Sequence, residues 1–292
     1  MANLHLLIID PQNDFCDLPE NYRPFAPDGE RFTPALPVAG AHADMQRLAA
    51  LIDAGRDGLG AITVTLDSHQ YFDIAHPSFW VKANGDPVSP FTTIEAAAVR
   101  ANEVLPRDPA LRDPVLAYLD ALAQAGRYTH MVWPTHCEIG SWGHNIHHDL
   151  HAALNRWEEA RAKFVTKVTK GENPMTEHYS ALQAEVPVTD DPATQLNQRL
   201  LARLRESERI YIAGEAGSHC VKATVDHLVA HWPTDELGRL TLIEDCISAV
   251  SGFEAAYADF LAEMRSRGVP VATADMVSHE LLANAKRLNR EQ

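Results

Sequence analysis

The sequence has no apolar run approaching the roughly 18 residues needed to cross a bilayer, and no Cys-x-x-Cys pair. It also lacks a basic leader followed by a long apolar stretch, since MANLHLLIIDPQNDF is apolar mainly over Leu4–Ile9. That segment reads as a buried strand and not as a signal peptide, so the expected compartment is the cytoplasm and no membrane partner is expected. Cysteine is scarce: Cys16, Cys137, Cys220 and Cys246 are scattered through 292 residues. A disulfide framework is therefore not expected, and the thiols read as reduced and mostly buried. Basic side chains are outnumbered, 25 Lys and Arg against 40 Asp and Glu, and the net charge of -15 has the wrong sign for a nucleic-acid surface. No repeat or low-complexity tract interrupts the chain. With 46% hydrophobic and 22% charged residues, it has the composition of a globular protein with a substantial core.

Short apolar, β-branched runs alternate with segments of helical period, the pattern of a parallel sheet with helices on both faces. The expected strands are Leu4–Ile9, Ala61–Leu66, Tyr128–Trp133, Lys163–Val168, Arg209–Ala213 and Leu240–Ile243, with Val269–Thr273 as a short further candidate. Helical stretches lie at Ala41–Ala54, Val221–Trp232 and Gly252–Arg267, the last with Phe253, Ala256, Phe260 and Met264 at helical spacing. Residues 80–127 and 172–207 exceed a minimal α/β plan. The first contains Gly/Pro-rich loops around helical patches at Thr93–Glu103 and Pro114–Gly126. The expectation is one domain, 1–292, with two elaborations.

In an open parallel sheet, ligands bind at the carboxyl ends of the strands. Each of the first five expected strands is followed by chemically capable side chains: Asp10; then Asp67-Ser-His69 and His76; then Pro134-Thr-His136-Cys137; then Lys170; then Gly214-Glu-Ala-Gly-Ser-His-Cys220. Such a gathering at one sheet edge outweighs any single motif. Alone, a cysteine at a strand–helix junction is most often a small buried hydrophobe. Cys220, however, comes after a glycine-containing turn where a helix should start. There the free N–H groups and helix dipole favour a thiolate, and with the N–H of Ala216 they can hold an oxyanion. Asp10 ends an apolar strand, where a carboxylate is costly unless paired. With Lys170 or its strand-mate Lys167, it supplies a base and a charge partner for the thiol. Asp67, His69, His76 and His136 make a three- or four-ligand set for a divalent Zn, Fe or Mn ion. A second histidine group, His144, His147, His148 and His151, reads as a solvated helix face.

These residues in this order resemble the isochorismatase-like cysteine hydrolase superfamily, and most closely its nicotinamidase/pyrazinamidase branch. The resemblance rests on LLIIDPQNDF, TLDSHQYFDIAHPSFW, WPTHCEIGSWG, TKGENPMTEHYSAL and IAGEAGSHCVKATVDHL. It implies a three-layer α/β/α fold around a mostly parallel six-stranded sheet. It further implies a catalytic triad of Asp10, Lys170 and Cys220, with the Lys-Gly step before Tyr179-Ser180-Ala181 favouring Lys170 over Lys167. Other implied features are metal ligands at Asp67, His69, His76 and His136, one divalent ion with zinc first, and an oxyanion hole at Ala216 and Cys220 beside a cis Glu215–Ala216 peptide. Phe15 and Trp133 are expected to hold an aromatic ring, and the implied partners are a small amide substrate and further copies of the chain in a homo-oligomer.

Two features depart from the family pattern. The segment between His76 and Trp133 is greatly lengthened, and the turn before Cys220 lacks the usual Thr-Asp. The metal set argues against isochorismatase itself, which lacks both the metal and the nucleophile, and against carbamoylsarcosine-type amidases. The function expected is hydrolysis of nicotinamide or a similar small aromatic amide through a thioester. Alternatives are the same machinery on another amide or a ureido compound, or a catalytically idle binding protein.

Overall fold

The apolar run Leu4–Ile9 forms strand β1, and all six of its residues are buried, so both faces of the sheet are covered at this position. The computed structural model describes residues 3–288 and 290. After β1 come β2 (Ala61–Asp67), β3 (Trp80–Lys82), β4 (Thr92–Ile94), β5 (Val104–Pro106), β6 (His130–Val132), β7 (Thr166–Lys170), β8 (Arg209–Gly214), β9 (Leu240–Ile243) and β10 (Val271–Ala272). The helices are α1 (Ala41–Gly55), α2 (Ala96–Arg100), α3 (Arg112–Ala125), α4 (His148–Arg161), α5 (Gln198–Arg205), α6 (Cys220–His231), α7 (Glu254–Ser266) and α8 (Ala274–Leu288). Among the described residues, no helix is long and apolar enough to cross a membrane.

Six strands make one sheet in the order β10-β9-β8-β1-β2-β7, and every neighbouring pair in it is parallel. Helices flank the sheet; α1 packs against α4 and α8, and α6 against β8. The fold is therefore the expected α/β arrangement around six strands, although one of the six differs from expectation. Tyr128–Trp133 contributes only β6, which pairs antiparallel with β4 of the lengthened segment and lies outside the main sheet. Its backbone groups find partners in the insertion, while the place beside β2 goes to β7. The sixth strand is β10, the short candidate near Val269–Thr273. Strand β7 also starts later than expected and ends on Lys170; Phe164, inside the expected strand, is 89% exposed and contributes nothing to a core.

The lengthened segment builds a second apolar cluster from Phe79, Trp80, Ile94, Val115, Tyr118 and Leu119 among others. The buried residues of α3 (Val115, Tyr118, Leu119, Leu122) recur at helical spacing. Ile74 and Val132 belong to the same cluster, adjacent in sequence to the segments that carry His76 and Trp133.

Register aligns the chemistry. Asp67 and Lys170 are Cα partners at the ends of β2 and β7, and Ile9, just before Asp10, is the partner of Gly214. At Gly214 a Cβ would stand 2.0 Å from the Ile9 carbonyl oxygen, so only glycine lets β8 pass this close to β1. The three strand ends β1, β2 and β7 are consecutive in the sheet, which brings Asp10, Asp67 and Lys170 together.

Candidate active site

Lys170 is the centre of the buried cluster. Its three ammonium hydrogens have three acceptors: Asp67 Oδ1 at 2.9 Å, the His178 carbonyl at 2.9 Å and Cys220 Sγ at 3.6 Å. Asp10 Oδ2 also lies 2.9 Å from Nζ, but without the alignment of a hydrogen bond, so that contact is mainly coulombic. Asp10 Oδ1 accepts from the Thr65 hydroxyl at 2.6 Å, and that hydroxyl in turn accepts from the Asp10 N–H at 3.0 Å. One Asp10 oxygen is thus fixed and the other is left with lone pairs toward the lysine and the thiol. Lys167, the rival on the same strand, is exposed and outside the cluster.

Burial opposes charge on each of these groups, and the neighbours decide the outcome. Burial would lower the Lys170 pKa, but Asp10, Asp67 and Cys220 raise it well above its ordinary value, so it stays an ammonium. Burial raises Asp10, with Lys170 pulling it back. Burial likewise pushes Asp67 up, but Lys170 and His69 outweigh this and hold it well below the usual carboxylate range. Cys220 is the first residue of α6, as expected, yet its thiol is raised and not depressed. Burial pushes it well above its ordinary value, Lys170 opposes, and the two carboxylates push it higher. This runs against the expectation of a resting thiolate: desolvation and two anions outweigh the one ammonium.

The turn before Cys220 has the cis Glu215–Ala216 peptide expected from the resemblance. Gly217 N–H goes to the Ser248 carbonyl, while the His219 and Val221 N–H groups go to the Ala216 carbonyl. The Ala216 and Cys220 N–H groups are not drawn into these bonds.

His69, His76 and His136 form the second group, with potential ligand atoms all within 4.8 Å of one another. Each Nδ1 has an acceptor: Asp73 Oδ2 at 3.1 Å for His69, the Gln70 carbonyl at 3.1 Å for His76 and the Pro134 carbonyl at 2.8 Å for His136. This turns Nε2 of each ring to the centre, where that of His76 also accepts the His136 N–H at 3.3 Å; an acceptor on Nδ1 is the arrangement that orients metal-binding imidazoles. Asp67 Oδ2 lies 3.2 Å from His69 Nε2 and 3.4 Å from His136 Nε2. Burial would lower the His69 pKa, but Asp67 and Asp73 raise it well above its ordinary value. Burial beside His136 and His69 lowers His76 to about 3. Three buried imidazoles with oriented nitrogens and an adjoining carboxylate fit a first-row divalent ion. Gln12 fixes Asp67 by pairing with its backbone, Nε2 to the carbonyl and Oε1 to the N–H, both at 2.7 Å.

Of the other histidines, His148 and His151 lie exposed on α4 as expected, whereas His144 and His147 turn inward. His147 is buried, its Nε2 2.8 Å from His42 Nδ1, and His144 Nε2 is 2.8 Å from Ser68 Oγ. Among the described residues only the His69, His76 and His136 group has metal-site geometry.

Cys220 opens into a small cavity of about 30 Å³ lined by Phe15 and Trp133, with Asp67 and His136 on its wall. Larger surface clefts, such as that beside Leu119 and Tyr128, contain no comparable group. Sequence reading missed Glu177 and Tyr179 on the cavity wall and left His219 without a role. Trp133 Nε1 donates to Tyr179 Oη at 3.0 Å, and the His219 ring meets Trp133 edge-on at 5.2 Å between centroids. The lengthened segment reaches this wall, since Phe91 packs edge-on against Trp133 at 6.0 Å.

No protein-family model and no curated protein matches the chain in sequence. Its fold, however, is shared by nicotinamidases and pyrazinamidases of known structure. A nicotinamidase/pyrazinamidase from Acinetobacter baumanii is similar at 19% identity and TM-score 0.57, covering 95% of this chain and 99% of that one. The yeast nicotinamidase Pnc1p bound to the inhibitor nicotinaldehyde is similar at 19% identity and TM-score 0.58, covering 92% and 99%. A pyrazinamidase from Pyrococcus horikoshii in complex with zinc is similar at 18% identity and TM-score 0.53, covering 93% and 99%.

Proposed function

We propose that this protein is a cysteine amidohydrolase that converts nicotinamide, or a similar small aromatic amide, to the acid and ammonia. The observation that carries the reading is Lys170, whose ammonium touches the thiol of Cys220 and the carboxylates of Asp10 and Asp67 in one buried cluster. An idle binding protein has no need to bury that set. The shared fold adds that neighbours of the same architecture are nicotinamidases and pyrazinamidases, a nicotinamidase among them holding the inhibitor nicotinaldehyde and a pyrazinamidase zinc.

Because the resting thiol is protonated, attack requires a base. Asp10 Oδ2 takes the proton as Cys220 Sγ bonds to the amide carbon, and Lys170 offsets the charge that develops on sulfur. The carbonyl oxygen becomes an oxyanion facing the N–H groups of Ala216 and Cys220. Asp10 passes its proton to the leaving nitrogen, the C–N bond breaks and ammonia departs, leaving a thioester on Cys220. Water then attacks the thioester with Asp10 again as base. The acid leaves and the proton returns to sulfur. Phe15 and Trp133 flank the ring of the substrate. Asp67, His69, His76 and His136 would hold a divalent ion, zinc first, which when bound supplies a Lewis acid to the cavity. We read residues 80–127 and 172–207 as elaborations of one domain.

Ammonia release from nicotinamide, aliphatic amides and ureido acids tests the reading. Nicotinamide should be fastest, and Cys220→Ala should be inactive while still folded. A preference for ureido acids would overturn the substrate assignment, and full activity of Cys220→Ala would overturn the mechanism.

A further inference from the structure

Glu177 has no part in the chemistry above, yet it lines the cavity that holds Cys220. It is only 4% exposed. One carboxyl oxygen, Oε1, accepts the N–H of the neighbouring His178 at 3.0 Å. The other, Oε2, is buried without any hydrogen-bond partner, a costly state for a carboxyl group unless a ligand completes it. Around it the cavity is mostly apolar, with Phe15, Leu36, Trp133 and Val250. Polar neighbours are already engaged: Trp133 Nε1 with Tyr179, and His219 Nδ1 with Ser218 Oγ at 2.9 Å. No lysine or arginine is among the cavity's lining residues, whereas Asp67 is.

We infer that Glu177 is a specificity-determining residue that reads an N–H or O–H donor on the substrate ring, so that the preferred substrates are neutral or cationic aromatic amides carrying a ring amino or hydroxyl group. This inference rests on the amidase reading of the same cavity and narrows its substrate class. The unpartnered oxygen is an acceptor waiting for a donor. The same carboxyl disfavours amides that present a carboxylate to it, because two anions would then meet in a low-dielectric space.

Titration calorimetry on the Cys220→Ala protein reads binding without turnover, using nicotinamide, its mono-amino and mono-hydroxy ring derivatives, and ureido acids as probes. At least one donor-bearing derivative should bind about ten-fold or more tightly than nicotinamide, the scale of a hydrogen bond to a charged group. Ureido acids should bind at least about ten-fold more weakly than nicotinamide. In Cys220→Ala/Glu177→Leu that ratio of derivative to nicotinamide should fall to about one, while Glu177→Gln, which keeps one acceptor oxygen, should retain part of it. Equal affinities for all ring derivatives, or a preference that survives Glu177→Leu, would overturn the inference. Because the readout is binding, a wild-type enzyme that releases no ammonia would sink the amidase reading and leave this result to stand or fall separately.

Discussion

Replacing Lys170 with Met keeps most of the buried stem and removes the ammonium. Its Nζ stands 2.9 Å from carboxylate oxygens of both Asp10 and Asp67, with all three side chains at 5% exposure or less. The variant therefore leaves two neighbouring carboxylates in a buried space without their cation. Breaking a buried pair by removing one partner costs about 3–5 kcal/mol. In a chain of this size each kcal/mol moves the melting temperature by roughly 2 °C or slightly more, so the expected fall is about 6–10 °C. The assay is thermal unfolding by circular dichroism, run alongside ammonia release. Without Lys170 the Asp10 and Asp67 pKa values rise in the folded state. The deficit should therefore be largest at neutral pH and shrink as the pH falls and these groups take up protons. Adding Asp10→Asn removes one of the uncompensated charges, so the double variant should recover part of the lost stability while remaining inactive. A Lys170→Met protein that melts within about 1–2 °C of wild type, or a further loss on adding Asp10→Asn, would refute the charge balance described for the cluster.

Two other outcomes are expected from the same geometry. Metal analysis should find about one divalent ion per chain, lost in His69→Ala and in His136→Ala; wild-type metal content in either variant would contradict the histidine site. His5 is wholly buried between Ser207 and Thr63, at 3.1 and 2.8 Å from their hydroxyls, and burial lowers its pKa to about 4. A histidine depressed from its ordinary 6.5 contributes stability that is present above pH 6.5 and is lost as the pH falls toward about 4. His5→Gln should flatten the fall in the urea midpoint between those limits, and an unchanged slope would argue against a neutral buried imidazole.

Much of the site is legible in the sequence because strand ends concentrate it. Leu4–Ile9 is apolar apart from His5, and Arg209–Gly214 apart from Arg209, which places Asp10 and the Cys220 turn on one sheet edge. Tyr128–Trp133 misleads because β-branched and aromatic composition marks an extended segment without naming its partner. Its partner, Thr92–Ile94, lies in an insertion whose loop-rich sequence hides a three-residue strand. The thiol's raised pKa is not legible either. Its helix-terminal position can be read locally, but the cost of burial comes from residues far apart in the chain. Glu177 escapes notice, and Tyr179 is read only as part of a motif, in a polar stretch after Lys170 where sequence alone does not distinguish a solvated loop from a cavity wall. His147 shows the same limit: adjacent histidines before α4 read as solvated, but His42, 105 positions earlier, takes one of them inward.

The proposed chemistry depends above all on a covalent step at Cys220. Wild-type enzyme quenched with acid during turnover of nicotinamide, then analysed by intact-mass and peptide mass spectrometry, should carry one nicotinoyl group as a thioester on the peptide containing Cys220. Turnover that proceeds with no acyl group on that peptide, or with the group on another residue, would contradict that step.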